Sequence, residues 1–253
     1  MICRCGIGYD QIDIDTATKK GICVTNTAGS MNESVGETAV LLMLELMRKF
    51  YLYNRHLMQG DWTWRIPANG LTGKTIGFVG FGGIGQGCAD LLKGFQCKFL
   101  VYDNYIKDEV LQKYGAKAVD LDTLAGESDV VSLHCPLTDE TRGLINYDFF
   151  SKMKKNAYIV NTARGPVINE KDLIRALQKG LIAGAGLDVY EVEPVTGDNP
   201  LLSMENVIAL PHIGSQTVES QHVTQLQAIE NLKQFLEGKV PVNCLNPDFM
   251  KFK

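Results

Sequence analysis

The chain alternates between short, near-continuous apolar runs rich in β-branched residues and longer segments whose apolar positions recur at helical spacing. The runs fall at Thr75 to Gly80, Lys98 to Tyr102, Asp129 to His134, Ala157 to Thr162, Ala183 to Val189 and Val207 to Leu210. Strands that are apolar at almost every position are buried on both faces, which is the situation of a parallel sheet covered by crossover helices. Between two of these runs, Glu170 to Gln178 places Leu173, Ile174 and Leu177 at i, i+1 and i+4 before a stop at Gly180. The pattern predicts a doubly wound α/β fold.

The flanks read differently. Ile2 to Cys5 and Ile22 to Thr25 are expected as strands around a helix at Ile14 to Lys19, and Val218 to Leu236 as one long helix. These pieces are expected to come together as a smaller domain, residues 1–27 with 216–253, interrupted in sequence by a larger one at 28–215. Val35 to Met58 reads as a further long helix. Its most apolar part, Val40 to Met47, contains Glu45 and is followed by Arg48 and Lys49. It therefore falls short of the roughly 18 uninterrupted apolar residues of a membrane span and reads as a buried helix.

Composition narrows the partners. With 253 residues, 45% of them hydrophobic and 21% charged, and a net charge of −4, the chain has the balance of a globular protein without a basic footprint for nucleic acid or an anionic membrane. A small-molecule partner is expected, and with no signal-peptide pattern at Met1 the expected location is the cytoplasm. The seven cysteines, at 3, 5, 23, 88, 97, 135 and 244, include no CxxC pair. Cys3 and Cys5 would share one side of a strand as small apolar side chains; a metal or redox site is the competing reading, but no histidine or third cysteine stands nearby, and no metal is expected.

The strongest local signal is "KTIGFVGFGGIGQGCADLLKGFQCKFLVYD". Gly80, Gly82 and Gly85 form G-x-G-x-x-G directly after an apolar strand and at the opening of a helix, and Asp103 ends the next strand 18 residues beyond Gly85. Gly80 permits the tight turn, Gly82 lets backbone approach a pyrophosphate, and Gly85 allows close helix packing. The helix N-terminus adds unpaired N–H groups and a favourable dipole. Asp103 suits the diol of an adenosine ribose, and no adjacent arginine would offset a 2′-phosphate, so NAD is favoured over NADP. A structural glycine-rich turn is the alternative.

Three charged candidates stand at later strand ends: Arg164 in "VNTARGPVIN", Glu193 in "LDVYEVEP" and His212 in "IALPHIGS". Ligands of open α/β sheets bind at the carboxyl ends of strands. Taken singly, each residue also reads as a solvated loop side chain.

Together with their motifs they resemble the D-isomer-specific 2-hydroxyacid dehydrogenase family. "GFVGFGGIG", "SLHCPLTDETRGLI", "NTARG", "GLDVYEVEP" and "LPHIGS" occur in the family order, and the likeness extends through "GIGYDQIDIDTATKKGICVTNTAG". The resemblance implies a Rossmann NAD domain beside a flavodoxin-like substrate domain, and hydride exchange between nicotinamide and a small 2-oxo or D-2-hydroxy acid. His212 would be the acid/base and Glu193 its partner; a carboxylate beside an imidazole favours the charged ring and fixes its orientation. Arg164 would bind the substrate carboxylate and polarise its carbonyl. By the same matching, Gly83 and Ile84 would lie against the pyrophosphate, Cys135, Thr162 and Ala163 would line the dinucleotide, and Asp188 and Gly214 would border the nicotinamide. The backbone of Ile7 and Gly8 would meet the substrate carboxylate together with Arg164 and His212.

The family's flavodoxin-like domain opens with strands, helices and a substrate loop ahead of the stretch matching "RCGIGYDQID", and here that stretch lies at the start of the chain. The expectation is therefore a partial substrate domain with apolar edges, and NAD binding with weak or no turnover by the 253-residue chain. Val35 to Met58 with "QGDWTWRIPANGLTGK" resembles the family's dimerisation arm and implies a homodimer. Two other readings are a dinucleotide-sensing interaction protein, similar to the C-terminal binding protein corepressors, and an inert fragment. The acid itself is not legible: phosphoglycerate, glycerate, lactate and larger acids stay open.

Overall fold

The computed structural model describes residues 1–252. Along the chain the elements are β1 (Ile2–Cys3), α1 (Ile14–Lys19), β2 (Val24–Thr25), α2 (Asn32–Arg48), α3 (Phe50–Met58), β3 (Thr75–Val79), α4 (Gly83–Leu92), β4 (Lys98–Tyr102), α5 (Asp108–Tyr114) and β5 (Lys117–Ala118). They continue with α6 (Leu121–Glu127), β6 (Val130–Leu133), α7 (Tyr147–Lys152), β7 (Tyr158–Asn161), α8 (Glu170–Gln178), β8 (Gly184–Leu187), β9 (Val207–Ala209) and α9 (Val218–Leu236). The chain divides into two compact units, Val35–Gly214 and Met1–Ser34 with Ser215–Lys253.

The larger unit is built on a seven-stranded sheet in the order β5-β4-β3-β6-β7-β8-β9, every pair parallel. Chain direction across the sheet reverses between β3 and β6, which creates the crevice where doubly wound folds take ligands. Period-two alternation splits the core between the two faces. Ile76 and Phe78 of β3 and Tyr158 and Val160 of β7 join Leu42, Met43 and Leu46 of α2 on one side. Val79, Val131, Leu133 and Ile159 join Phe149, Phe150 and Leu173 on the other. Gly186 explains how α2 fits so closely: a Cβ there would sit 3.0 Å from the Leu42 Cβ.

The six expected strands of this unit are present, β4 over its full expected range and the other five shorter by one to three residues, and β5 is an addition. β5 escapes the pattern because it has two residues, both exposed, at the sheet's edge. The expected single helix from Val35 to Met58 is corrected to two: Lys49 adopts φ 53, a left-handed conformation that ends the α ladder, and α3 starts at the next residue. No residue of α3 is buried, so the apolar periodicity that marks α2 says nothing about it. No helix among the described residues is long and apolar enough to cross a membrane.

The smaller unit has little regular structure. β1 and β2 pair in parallel through two residues each, with Ile2 opposite Val24 and Cys3 opposite Thr25, and a single antiparallel bridge joins Thr25 to Cys244. The strand expected at Ile2 to Cys5 thus stops at Cys3, and Cys5 is exposed rather than buried. Amide side chains supply much of the cohesion. Asn246 accepts from Val24 N at 2.8 Å and donates to Thr18 Oγ1 at 3.0 Å and Ile22 O at 2.9 Å. Asn231 of α9 donates to Asn26 O at 2.9 Å. The turn at Gly6 to Gly8 is held by the residues after β2: Gly6 N donates to Thr27 Oγ1 at 2.9 Å, and Asn26 Nδ2 to Ile7 O at 3.0 Å.

Candidate functional site

The glycine-rich turn leaves β3 with Gly80 at φ 85, and a Cβ at that position would lie 2.6 Å from Cys135 N. Only glycine fits both the backbone angle and the approach of the chain following β6. Gly82 caps α4, and nothing lies within 4 Å of where its Cβ would be. A Cβ on Gly85 would meet Gly80 O at 2.9 Å, so this glycine closes the helix onto the turn. Gly82 and Gly83 are exposed and Ile84 is half-buried, which leaves the first-turn N–H groups of α4 open on the crevice side of the sequence motif. Asp103, just past β4, uses one oxygen for Phe81 N at 2.8 Å and the other for Tyr105 N at 2.9 Å. Its two carboxylate oxygens have further lone pairs for a diol, while the backbone bonds hold them beside the turn.

Cys135 is 9% exposed and burial pushes its thiol up to about 11, which makes it a wall and not a nucleophile. After β7, the Asn161 side chain organises the next three residues by accepting from Ala163 N at 3.0 Å and donating to Arg164 O at 2.9 Å. Arg164 Nη1 donates to Ala163 O at 2.7 Å. Thr162 Oγ1 is buried without a hydrogen-bond partner, as is Nδ1 of His134 at the end of β6. An orphaned buried polar atom costs about 1–3 kcal/mol, so two of them at adjacent strand ends suit a polar ligand. The residues present fit a dinucleotide: an open glycine cradle, a helix N-terminus, an acid after β4 and an unsatisfied hydroxyl after β7.

The acid/base candidates follow β8 and β9. His212 Nδ1 lies 2.7 Å from Glu193 Oε2, and Glu193 Oε1 accepts from Tyr190 N at 3.0 Å. Both carboxylate oxygens are therefore engaged, and the imidazole is gripped at Nδ1, leaving Nε2 available. His212 has φ 55, a left-handed conformation unusual for a non-glycine residue. Asp188 braces it by accepting from Ile213 N at 2.7 Å and Gly214 N at 2.8 Å. A Cβ on Gly214 would fall 2.8 Å from Asp188 Oδ2, so glycine lets the two loops close. Burial raises the Asp188 carboxyl, and its two backbone N–H bonds oppose that rise. Arg164, Glu193 and His212 stand after β7, β8 and β9, three neighbouring strands, and Glu193 and His212 are in direct contact.

Sequence reasoning missed two residues. Tyr190, 4% exposed, ties the Glu193 loop to the His212 loop, since its backbone holds Glu193 and its hydroxyl donates to Leu210 O at 3.0 Å. His134 pairs through Nε2 with the fully buried Ser132 at 2.8 Å, and burial pushes it down to about 4. The motif "SLHCP" contained both Ser132 and His134, but a side chain folded back under its own strand leaves no periodic signal.

Among known proteins, residues 40–214 match the family described as D-isomer specific 2-hydroxyacid dehydrogenase, NAD binding domain. The chain is 42% identical over 246 residues to glyoxylate/hydroxypyruvate reductase B of Escherichia coli, covering 95% of this chain and 76% of that protein. It is similar to the crystal structure of a glyoxylate reductase from Paecilomyes thermophila, with a TM-score of 0.89 and 37% identity, over 96% of this chain and 74% of that one. It is also similar to D-lactate dehydrogenase from Aquifex aeolicus complexed with NAD and lactic acid, with a TM-score of 0.88 and 33% identity, over 95% of this chain and 78% of that one.

Proposed function

Because the chain belongs to the NAD-dependent D-isomer-specific 2-hydroxyacid dehydrogenase family, we propose that it interconverts a small 2-oxo acid and its D-2-hydroxy acid, with glyoxylate and hydroxypyruvate as its substrates. The observation that carries this reading is the 2.7 Å contact between His212 Nδ1 and Glu193 Oε2. A ring held at one nitrogen by a fixed carboxylate can deliver a proton from the other to a carbonyl oxygen and recover it in the reverse direction. NAD, when bound, supplies or accepts the hydride.

In this reading residues 28–215 bind NAD, with Gly80, Gly82, Gly83, Ile84 and Gly85 cradling the pyrophosphate and Asp103 the adenosine ribose. Cys135, Thr162 and Ala163 border the dinucleotide, and Asp188 with Gly214 borders its nicotinamide end. Arg164 orients the substrate by its carboxylate and polarises the carbonyl, a task for which a guanidinium fork is suited. Residues 1–27 and 216–253 serve the substrate, whose carboxylate meets the backbone of Ile7 and Gly8. The names of the relatives support glyoxylate and hydroxypyruvate. A homodimer is supported by exposed apolar side chains on and after α3, where Phe50 is 62%, Met58 80% and Trp62 70% exposed. Light scattering tests it.

The deciding experiment pairs NADH titration with NADH consumption on each acid. His212→Asn and Glu193→Gln are expected to keep NADH affinity and to lower turnover by about 10²- to 10⁴-fold. Unchanged turnover in His212→Asn overturns the assignment. NADH binding by the wild type without turnover of either acid favours the sensing reading.

A further inference from the structure

In the smaller unit two cysteines 221 positions apart meet: the Sγ atoms of Cys23 and Cys244 are 3.7 Å apart. Cys23, beside β2, is fully buried, whereas Cys244 is partly exposed. The backbone fixes their approach. Thr25 and Cys244 form an antiparallel bridge flanked by Leu245 N to Val24 O at 2.8 Å and Asn26 N to Asn243 O at 3.3 Å. Cys23 and Thr25 are two apart, so their side chains fall on one face of the extended segment, the face that Cys244 meets. Cys244 also donates to Asn246 Oδ1 at 3.7 Å, the oxygen that accepts Val24 N. These contacts hold the thiol on both sides without consuming its sulfur in a metal site: no cluster of three or more metal-binding side chains occurs among the described residues.

We propose that Cys23 and Cys244 are a redox modification site, with Cys244 the thiol that attacks a hydroperoxide and Cys23 the thiol that resolves it as a disulfide. Exposure assigns the roles, because the oxidant reaches Cys244 and not the buried Cys23. The Cys244 thiolate attacks the peroxide; an S–O bond forms, the O–O bond breaks, and the departing alkoxide or hydroxide takes a proton to leave as an alcohol or water. The Cys23 thiolate then attacks the Cys244 sulfur; the S–S bond forms, the S–O bond breaks, and hydroxide leaves as water with the proton that Cys23 gave up. Two thiols are oxidised by two electrons and one hydroperoxide is reduced. The sulfurs must close by about 1.7 Å to reach bonding distance, a motion within reach of rotation about two Cα–Cβ bonds.

The crosslink would bracket the Asn26–Asn243 contact. Asn26 and Thr27 hold the Gly6 to Gly8 turn through Ile7 O and Gly6 N, so oxidation would stiffen the support of the backbone proposed to meet the substrate carboxylate. The site stands on geometry independent of that function.

The test uses the full chain, reduced, exposed to hydrogen peroxide, quenched by alkylation and digested without reductant. Mass spectrometry is expected to find a Cys23–Cys244 linked peptide pair in the wild type and in Cys5→Ser, its loss on adding dithiothreitol, and its absence in Cys244→Ser. Amide exchange at Gly6 and Gly8 is expected to slow in the oxidised protein. Recovery of Cys244 as sulfinic or sulfonic acid, its linkage to a cysteine other than Cys23, or its survival as a thiol while Cys5 oxidises would each overturn the proposal. The wild-type peptide map decides the matter even if a variant fails to fold.

Discussion

The two units are held together by different chemistry. In Val35–Gly214, six of the seven parallel strands carry apolar side chains into the two core clusters that cover the sheet's faces, and the polar bonds sit at the strand ends where the candidate site lies. In Met1–Ser34 with Ser215–Lys253, the paired strands are two residues long, and Asn246, Asn231, Asn26 and Thr27 do by hydrogen bonding what strand length does elsewhere. Helix α9 shows the contrast within one element. Its buried positions are Ser220, Thr224, Ala228 and Asn231, while Val218, Leu226, Ile229 and Leu236 are exposed by 53% or more. Hydrophobic burial is non-directional and tolerates small shifts, whereas an amide that loses one partner leaves a buried backbone group unpaired.

This difference can be broken most severely from the apolar side. Phe150→Ala removes a fully buried ring from the larger unit and is expected to cost about 4 kcal/mol, with loss of NADH binding as the unit unfolds; denaturant titration followed by NADH fluorescence measures both.

Acid sharpens the contrast next. His134 is held down to about 4 by burial, whereas an unfolded histidine takes its proton near pH 6.5. The unfolded state therefore binds the proton first as pH falls. Stability is complete above about pH 6.5 and declines toward pH 4, by about 3 kcal/mol over the window. Urea midpoints measured at intervals across that range should fall for the wild type and fall less for His134→Gln.

The smaller loss comes from the polar side. Asn246→Ala removes bonds to Val24 N, Thr18 Oγ1 and Ile22 O and is expected to cost about 2–3 kcal/mol. The effect should appear as faster amide exchange at Val24 and at Gly6 to Gly8, with NADH affinity unchanged. Equal loss of NADH binding in Asn246→Ala and Phe150→Ala would show that the units do not differ in the way their bonding implies.

Much of this was legible because it is local. The G-x-G-x-x-G turn depends on a strand, three glycines and a helix start within a dozen residues, and Gly80 and Gly85 prove to answer steric demands: a Cβ on Gly80 would lie 2.6 Å from Cys135 N. Six of the seven strands declared themselves by apolar runs, since a strand buried on both faces has few polar positions to interrupt it. The left-handed Lys49, by contrast, sits in a stretch whose composition suits a continuous helix, and β5 is an exposed pair of residues with no apolar signal at all.

What the amino-acid order determined by itself was the succession of elements, the dinucleotide turn and the motifs bearing Arg164, Glu193 and His212, because backbone sterics and short-range periodicity are properties of neighbouring residues. Tertiary structure alone decided that Tyr190 spans the Glu193 and His212 loops, that His134 and Thr162 keep unsatisfied atoms at adjacent strand ends, and that Cys23 touches Cys244. Those pairings join residues up to 221 positions apart, and the physical reason they are silent in the sequence is that side-chain contact depends on which strands become neighbours in the sheet, not on spacing along the chain.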